Sequence, residues 1–162
     1  MKNYALMFLT LMTVWLLLNV SLAPEVLIVG AGVSLIVSLA FCSKCDILSE
    51  INLNPKALAY SVIFAFVFMG ELIKANVSIT KRVISPKLPI NPGIVKVKTK
   101  LKSKVGRMVL ANAITLTPGT FTLELDGEYL FVHWVDVKSK DIDGATKEIV
   151  STFEKYLDVM YG

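Results

Sequence analysis

Three long apolar runs in the first half of the chain constrain its fold more than any other feature. They cover residues 4–22, 26–42 and 58–79. An α-helix rises about 1.5 Å per residue, so a run of about 20 apolar residues can cross a hydrocarbon core of about 30 Å. Hydrophobic residues make up 54% of the chain and are crowded into this half. The sequence therefore predicts a membrane protein in which residues 1–80 form three N-terminal hydrophobic, transmembrane helices.

A short polar break, Ala23-Pro24-Glu25, separates the first two runs. Proline disfavours a helical conformation in the residue before it, so the break predicts a tight turn. The first run follows Lys2 but is too long for a cleaved signal peptide, and a second apolar run comes directly after it. We therefore predict that the first run belongs to a mature, multi-pass protein of the cell membrane.

The composition changes after the third run. Residues 81–93 contain three prolines and end in glycine, which is typical of a linker. Residues 94–162 carry frequent charges and are few for a self-sufficient core, so this domain is expected to lean on the membrane or on other chains.

The order of patterns after the linker predicts a small α/β domain of the type βαββα. Apolar and lysine residues alternate over 94–102 as in a half-buried strand, and helical spacing follows over 103–116. Thr117-Pro118-Gly119-Thr120 predicts a type II turn, with Pro118 and Gly119 at the positions that such a turn prefers. Asp126-Gly127 predicts a two-residue type I′ loop in a hairpin, and apolar residues three and four apart predict one last helix over 142–160.

Lysines occupy one face of the first predicted strand, at Lys96, Lys98, Lys100 and Lys102. With the net charge of +4, this face could suit a nucleic acid, but aromatic residues are missing from the segment. Lysines also protect a sheet edge from unwanted pairing and attract anionic lipid head groups. The pattern favours these two roles, so we predict membrane lipids and no nucleic acid as partners.

Basic residues near the apolar runs predict the orientation of the chain. The first loop carries none, whereas Lys81, Arg82 and further basic residues follow the third run. Because basic flanks stay on the cytoplasmic side, the domain at 94–162 is predicted to be cytoplasmic. Three crossings then place the N-terminus outside, which Lys2 opposes.

Patterns of catalytic or cofactor chemistry are missing. The sequence has no glycine-rich phosphate loop and no Ser-His-Asp order, and a single histidine cannot complete a zinc site with the two cysteines. Cys42 and Cys45 form a C-x-x-C pair, which is interpreted as two small apolar thiols at a helix end, with a disulfide or a site shared with another chain as alternatives. We predict a protein that is not an enzyme and that holds no metal or cofactor.

Glu71 and Lys74 close the third apolar run and, three residues apart, share one helical face. A carboxylate inside a span costs about 2.5 kcal/mol or more on insertion scales, so Glu71 should face protein or water. In one interpretation Lys74 extends towards the surface and steadies Glu71. In the other, Glu71 faces a polar channel of another subunit and helps to conduct ions. Together with Asn76, these residues are candidates for an ion path or a subunit interface.

Three segments carry a resemblance to a known family: GELIKAN at 70–76, NPG at 91–93 and LANAITLTPGT at 110–120. With their order and spacing, they resemble the E subunit (MrpE/MnhE family) of multisubunit sodium/proton antiporters. The resemblance implies an accessory subunit whose partners are other polytopic subunits of the complex. Similar subunits in antiporter modules of membrane-bound hydrogenases and related respiratory complexes are an alternative, and a stand-alone membrane-anchored adaptor is another.

Overall fold

The computed structural model describes residues 2–41, 50, 52 and 54–161. These residues fold into two compact units, Met1–Ile51 and Asn52–Gly162. The helices are α1 (Lys2–Asn19), α2 (Pro24–Phe41), α3 (Pro55–Ile84), α4 (Lys104–Leu116), α5 (Ile142–Ile149) and α6 (Ser151–Tyr161). The strands are β1 (Gly93–Lys98), β2 (Thr120–Asp126) and β3 (Tyr129–Trp134). The chain thus combines apolar helices with a small three-stranded sheet and its own helices.

The first unit is a pair of packed apolar helices, α1 and α2. The indole of Trp15 donates to the carbonyl oxygen of Val26 at 3.0 Å. A Cβ atom at Gly30 would lie only 2.4 Å from Cδ1 of Trp15, so this position cannot hold a side chain without a shift. Ser34 and Ser38 are buried on the same side of α2. Small residues at four-residue spacing therefore let the two helices approach closely.

The third helix is longer than the apolar run that predicts it. It begins at Pro55, after Asn54 accepts a hydrogen bond from the Lys56 N–H, and continues to Ile84. Its last turns therefore occupy the first four residues of the predicted linker 81–93. Within the described residues, α2 and α3 are long and apolar enough to cross a membrane, and α1 is a shorter apolar helix.

The sheet has the strand order β1-β3-β2 and is antiparallel throughout. Val95 and Val97 pair with Val132 and Leu130, and all four are buried beneath α4, α5 and α6. The predicted alternation continues beyond β1, because Leu101 is also buried after the strand has ended.

The predicted hairpin forms, but its loop lies one residue later than predicted. The loop residues are Gly127 and Glu128, because β2 includes Asp126. Gly127 has a φ of 58°, whereas the φ of Glu128 is not positive. A type I′ turn needs positive φ at both loop residues, so the type I′ prediction is wrong; a glycine at the first position is typical of type II′.

The single last helix of the prediction is two helices, α5 and α6, separated at Val150. The Ser151 hydroxyl donates to the Lys147 carbonyl, which a continuous helix would pair with the Ser151 N–H. Apolar residues on both helices, including Ile149, Phe153 and Leu157, still bury one common face. The apolar period thus predicted the buried face correctly, although the helix axis is interrupted.

The sequence divides the chain into a membrane region, a linker and a cytoplasmic domain, and this division describes where each part lies relative to a membrane. The two compact units instead follow internal packing, and α3 belongs to the same unit as the sheet. The predicted division therefore stays a prediction. Cys42 and Cys45 lie outside the described residues.

Candidate functional site

A cleft of about 290 Å³ in the second unit collects most of the residues that the sequence singles out. Its walls are the second half of α3, the turn after α4, the end of β3 and the segment that includes α5 and the start of α6. Its charged residues are Glu71, Lys74, Arg82, Asp136, Lys138 and Glu148.

Glu71 and Lys74 lie together on the wall that α3 forms. The Lys74 Nζ atom is 2.6 Å from Oε1 of Glu71. The Glu71 side chain is 30% exposed and that of Lys74 is 73% exposed. The carboxylate is therefore half-covered by the cleft, while the amine reaches solvent.

Asn76, the third candidate of this segment, does not join the cleft. Its side-chain amide donates to the Leu72 carbonyl of the same helix at 2.8 Å, and the residue is exposed. The structure therefore brings two of the three candidates together and leaves Asn76 on another face of α3.

A second ion pair joins α3 to the end of β3. The Arg82 guanidinium bonds to the Asp136 carboxylate and donates to the Ser78 hydroxyl at 2.9 Å. Both charged side chains are less than one third exposed, which limits the screening of their attraction by water. From the sequence, Arg82 was interpreted only as a basic residue that indicates orientation. Asp136 was not predicted as its partner, because 54 residues separate the two and no local pattern links them.

Charges on α5 complete the rim. Lys138 lies 3.3 Å from Glu148 of α5. Asp141 caps the start of that helix by accepting from the Gly144 N–H at 2.7 Å. A hydrogen bond from the Ser139 hydroxyl, followed by the one from Gly144, holds the pKa of Asp141 below its ordinary value. The capped helix therefore presents Glu148 in a defined place.

The turn Thr117-Pro118-Gly119-Thr120 forms another wall. The Thr120 N–H donates to the Thr117 carbonyl at 3.2 Å, and Gly119 has a φ of 95°. A Cβ atom at Gly119 would lie 3.1 Å from Cδ1 of Ile79 on α3. Glycine is thus needed at this position both for the backbone conformation and for the close approach of α3.

The NPG segment reaches the same place through the backbone. Asn91 donates its N–H to the Val135 carbonyl at 3.1 Å, and its carbonyl accepts from the Val137 N–H at 2.9 Å. The Val135 N–H in turn donates to the Gly119 carbonyl at 2.9 Å. Two of the three segments that carry the resemblance, 91–93 and 110–120, therefore meet at Val135, although they are distant in sequence. The third, 70–76, lines the same cleft as Val135 through Glu71 and Lys74.

The acidic side chains that line the cleft form ion pairs with its basic side chains. Each of its three carboxylates has a basic partner in the cleft: Glu71 with Lys74, Asp136 with Arg82, and Glu148 with Lys138. The part of the chain that the structure describes contains no group of three or more His, Cys, Asp or Glu residues that could hold a metal ion.

Two lysines of the predicted lysine face, Lys96 and Lys98, lie on β1, on the side opposite the buried Val95 and Val97. The other two, Lys100 and Lys102, come after the end of β1. Lys96 lies 3.9 Å from the centre of the Tyr129 ring. Lys98 pairs with Glu128 at 3.1 Å, and this carboxylate raises the pKa of Lys98. β1 is an edge strand, so lysines of this face border an open sheet edge.

A family model described as "MNHE: Na+/H+ ion antiporter subunit" matches residues 8–159. The E subunit of the Na(+)/H(+) antiporter of Alkalihalophilus pseudofirmus is 43% identical over 90 residues, 54% of this chain and 56% of that protein. The match thus spans little more than half of that relative's length. The E subunit of a probable K(+)/H(+) antiporter of Rhizobium meliloti is 28% identical over 147 residues, 86% of each chain.

Among solved structures, the chain is similar to one in the membrane-bound sulfane sulfur reductase, an archaeal respiratory membrane complex. The two chains are 43% identical with a TM-score of 0.86, and the match covers 99% of this chain and 100% of the other.

Proposed function

Because the chain belongs to the MNHE family of Na+/H+ ion antiporter subunits, we propose that it is an accessory membrane subunit of a multisubunit monovalent cation/proton antiporter. Its role in this proposal is to support assembly and ion translocation by the other subunits, without a catalytic site or cofactor of its own. The observation that carries the proposal is the family match over residues 8–159, which covers most of both compact units.

One observation supports a respiratory complex, instead of an antiporter alone, as the complex that contains this chain. The similar chain of the sulfane sulfur reductase belongs to a respiratory membrane complex and matches nearly all of this chain. The alternative is therefore the equivalent subunit in the antiporter module of a respiratory complex, such as a membrane-bound hydrogenase. In either host the partners are other polytopic subunits and membrane lipids.

The position of the chain in the cell membrane is part of the proposal. Residues 1–80 associate with the membrane, residues 81–93 connect, and residues 94–162 form a cytoplasmic domain. The helices α1 and α2, each 18 residues or about 27 Å long, suit a bilayer core of about 30 Å. The excess of Lys and Arg after residue 79 supports the cytoplasmic side for the domain.

The cleft is proposed as the part that keeps the second unit in shape for its partners. The pairing of Glu71 with Lys74 supports a packing role for Glu71 rather than a conducting one. The exposed Lys74 amine remains available to a neighbouring subunit. Asn76, on another face of α3, is proposed as a separate contact position.

Purification of the complex tests this function. A chain with an affinity tag after Gly162 should be extracted in mild detergent together with several polytopic membrane proteins. Antiporter subunits without redox partners would identify an antiporter, and additional redox subunits would identify a respiratory complex. Recovery of the chain alone, or with one soluble protein, would contradict the proposal and favour an adaptor.

A further inference from the structure

One face of α3 packs against the folded domain along nearly its whole length. The Tyr60 ring lies 6.4 Å from that of Tyr156, and Phe64 and Phe68 lie 6.1 Å and 6.2 Å from Phe153. Near its other end, Arg82 pairs with Asp136. From residue 60 to residue 82 the helix rises about 33 Å, so these contacts extend over a length equal to the hydrocarbon core of about 30 Å.

This packing is incompatible with a membrane crossing by α3. If α3 crossed the bilayer, α6 would have to enter the hydrocarbon core beside it. That helix carries Glu154, Lys155 and Asp158, and each charged residue costs about 2.5–3.5 kcal/mol at the bilayer centre on insertion scales. The folded domain and a spanning α3 therefore exclude each other.

The opposite face of α3, here called the outer face, is apolar and exposed. Phe66 is 75% exposed and Leu58 is 65% exposed. The apolar residues of the outer face recur three or four residues apart, as one stripe of a helix requires. These residues are Leu58, Val62, Phe66, Met69, Ile73 and Val77.

Exposed lysines border the outer face. Lys74 and Lys81, seven residues apart, lie on nearly the same side of the helix, and Lys56 extends this line at the other end. A helix with an apolar stripe and lysines at its border is typical of one that lies in a membrane interface. The lysine stems can cover apolar surface while their amines reach lipid phosphates.

We propose that α3 lies along the cytoplasmic surface of the bilayer, with its outer face buried in the boundary between head groups and acyl chains, and that only α1 and α2 cross. The predicted third span is thereby replaced by an interfacial helix. The proposal does not depend on the antiporter assignment.

The distribution of basic residues favours two crossings over three. With two crossings Lys2, Lys44, Lys56 and the basic residues after residue 79 all lie on the cytoplasmic side. The loop between α1 and α2, which carries no Lys or Arg, lies outside. The conflict over Lys2 in the three-span prediction disappears. Glu71 also no longer lies inside a span, because it faces the cleft of a cytoplasmic domain.

An anionic lipid surface fits the outer face better than another apolar helix does. Of the border lysines, Lys74 already pairs with Glu71, but burial between protein helices would remove water from the amines of Lys56 and Lys81, which is costly unless the neighbouring chain supplies partners. At a bilayer surface each such charge near anionic head groups is attracted instead.

Cysteine labelling of the full chain in its complex tests the number of crossings. With Cys42 and Cys45 replaced by serine, single cysteines are introduced as Leu22→Cys, Asn52→Cys and Lys140→Cys. A membrane-impermeant maleimide is then applied to right-side-out and inverted vesicles. Two crossings predict that Asn52→Cys and Lys140→Cys react from the cytoplasmic side and Leu22→Cys from the other. If Leu22→Cys and Lys140→Cys share a side and Asn52→Cys does not, α3 spans and the proposal fails.

A depth measurement tests the lipid contact itself. A fluorophore on Phe66→Cys is compared with one on Val33→Cys in the middle of α2, in vesicles whose lipids carry a quencher near the head group or at the acyl-chain end. The interfacial position predicts stronger quenching of the Phe66 site by the shallow quencher and of the Val33 site by the deep one. Stronger deep quenching at Phe66 would overturn the proposal, as would no quenching by either lipid, which would mean that another chain covers the outer face.

Discussion

At the residue scale, Glu71 forms an ion pair with a lysine of its own helix. The sequence places it at the end of an apolar run, which raises the question of what stabilises its charge. In the structure Glu71 is half-covered by a polar cleft and pairs with Lys74 at 2.6 Å. A carboxylate with a local partner and access to water needs no channel to explain it.

Neutralising Glu71 therefore should leave transport intact. Glu71→Gln keeps the shape of the side chain and can still accept a hydrogen bond from Lys74. We expect assembly and cation-driven proton flux within about twofold of the unaltered complex, because exposed ion pairs contribute about 0–1 kcal/mol. Glu124→Gln, on β2 outside the cleft, is the matched control. A steep loss of flux in the Glu71→Gln variant with normal assembly would assign Glu71 to the ion path.

Gly119 is the residue whose conformation the turn most requires. Gly119→Val should damage the second unit, because a β-branched residue tolerates a φ near 95° poorly and its Cβ atom would press on Ile79. We expect a marked fall in the amount of assembled protein, measured by quantitative immunoblot of the purified complex. Gly127→Asn is the control, since φ at Gly127 is 58°, a value that asparagine adopts, and nothing lies within 4 Å. Equal assembly of both variants would show that the turn is not needed.

At the element scale, the stability of the second unit depends on the contacts between α3 and the α/β elements. Aromatic contacts join α3 to α6, and the Arg82–Asp136 pair joins it to the end of β3. The segments around Asn91 and Gly119 then fix the chain near Val135 through backbone hydrogen bonds. The cleft therefore lies beside α3, between its aromatic contacts with α6 and its ion pair with Asp136.

The aromatic contact should carry much of this stability. Phe153 is 5% exposed and contacts the rings of Phe64 and Phe68, so Phe153→Ala should destabilise the unit by about 3–5 kcal/mol. Limited proteolysis of the purified complex should then cleave near α6 much faster. Phe121→Ala, at a position that is 52% exposed, should change the rate little. Similar cleavage rates for the two variants would contradict the packing described for α6.

The Arg82–Asp136 pair permits a charge-swap test. Arg82→Asp alone brings two carboxylates together and should cost about 1.5–3 kcal/mol, whereas the double variant with Asp136→Arg should recover most of the loss. Protease resistance of the complex again measures the effect. Lys87→Asp, five residues away, exposed and outside the cleft, is the control for added negative charge. No recovery in the double variant would mean that the two side chains do not act as a pair.

Local patterns predicted the elements well and their long-range partners poorly. Alternation over 94–102 predicted which side chains are buried, since Val95, Val97 and Leu101 are all in the core. The break at Val150 interrupts the helix without interrupting its apolar period, so the period does not reveal it. The ion pair of Asp136 was not predicted, because its partner Arg82 lies on α3, which only tertiary folding brings close to the end of β3. Apolar content alone also does not predict that α3 packs on the folded domain along one face, because that contact depends on residues of α6 far away in sequence.

At the scale of the whole molecule, the chain joins a pair of apolar helices to a charged α/β unit. The helix pair packs through small residues of α2, and the second unit buries its own core beneath three helices. Such a division suits a protein that attaches to a membrane complex through its first unit and offers a folded surface through its second. We propose that this surface and anchor support a cation/proton antiporter.

Cation-driven proton flux in membrane vesicles tests most directly whether the chain supports an antiporter. Vesicles from cells that lack the chain are compared with vesicles from cells that express it again, at equal amounts of the other subunits. We predict that loss of the chain lowers both the amount of assembled complex and the flux, and that re-expression restores both. Full assembly and full flux without the chain would contradict its role as an accessory antiporter subunit.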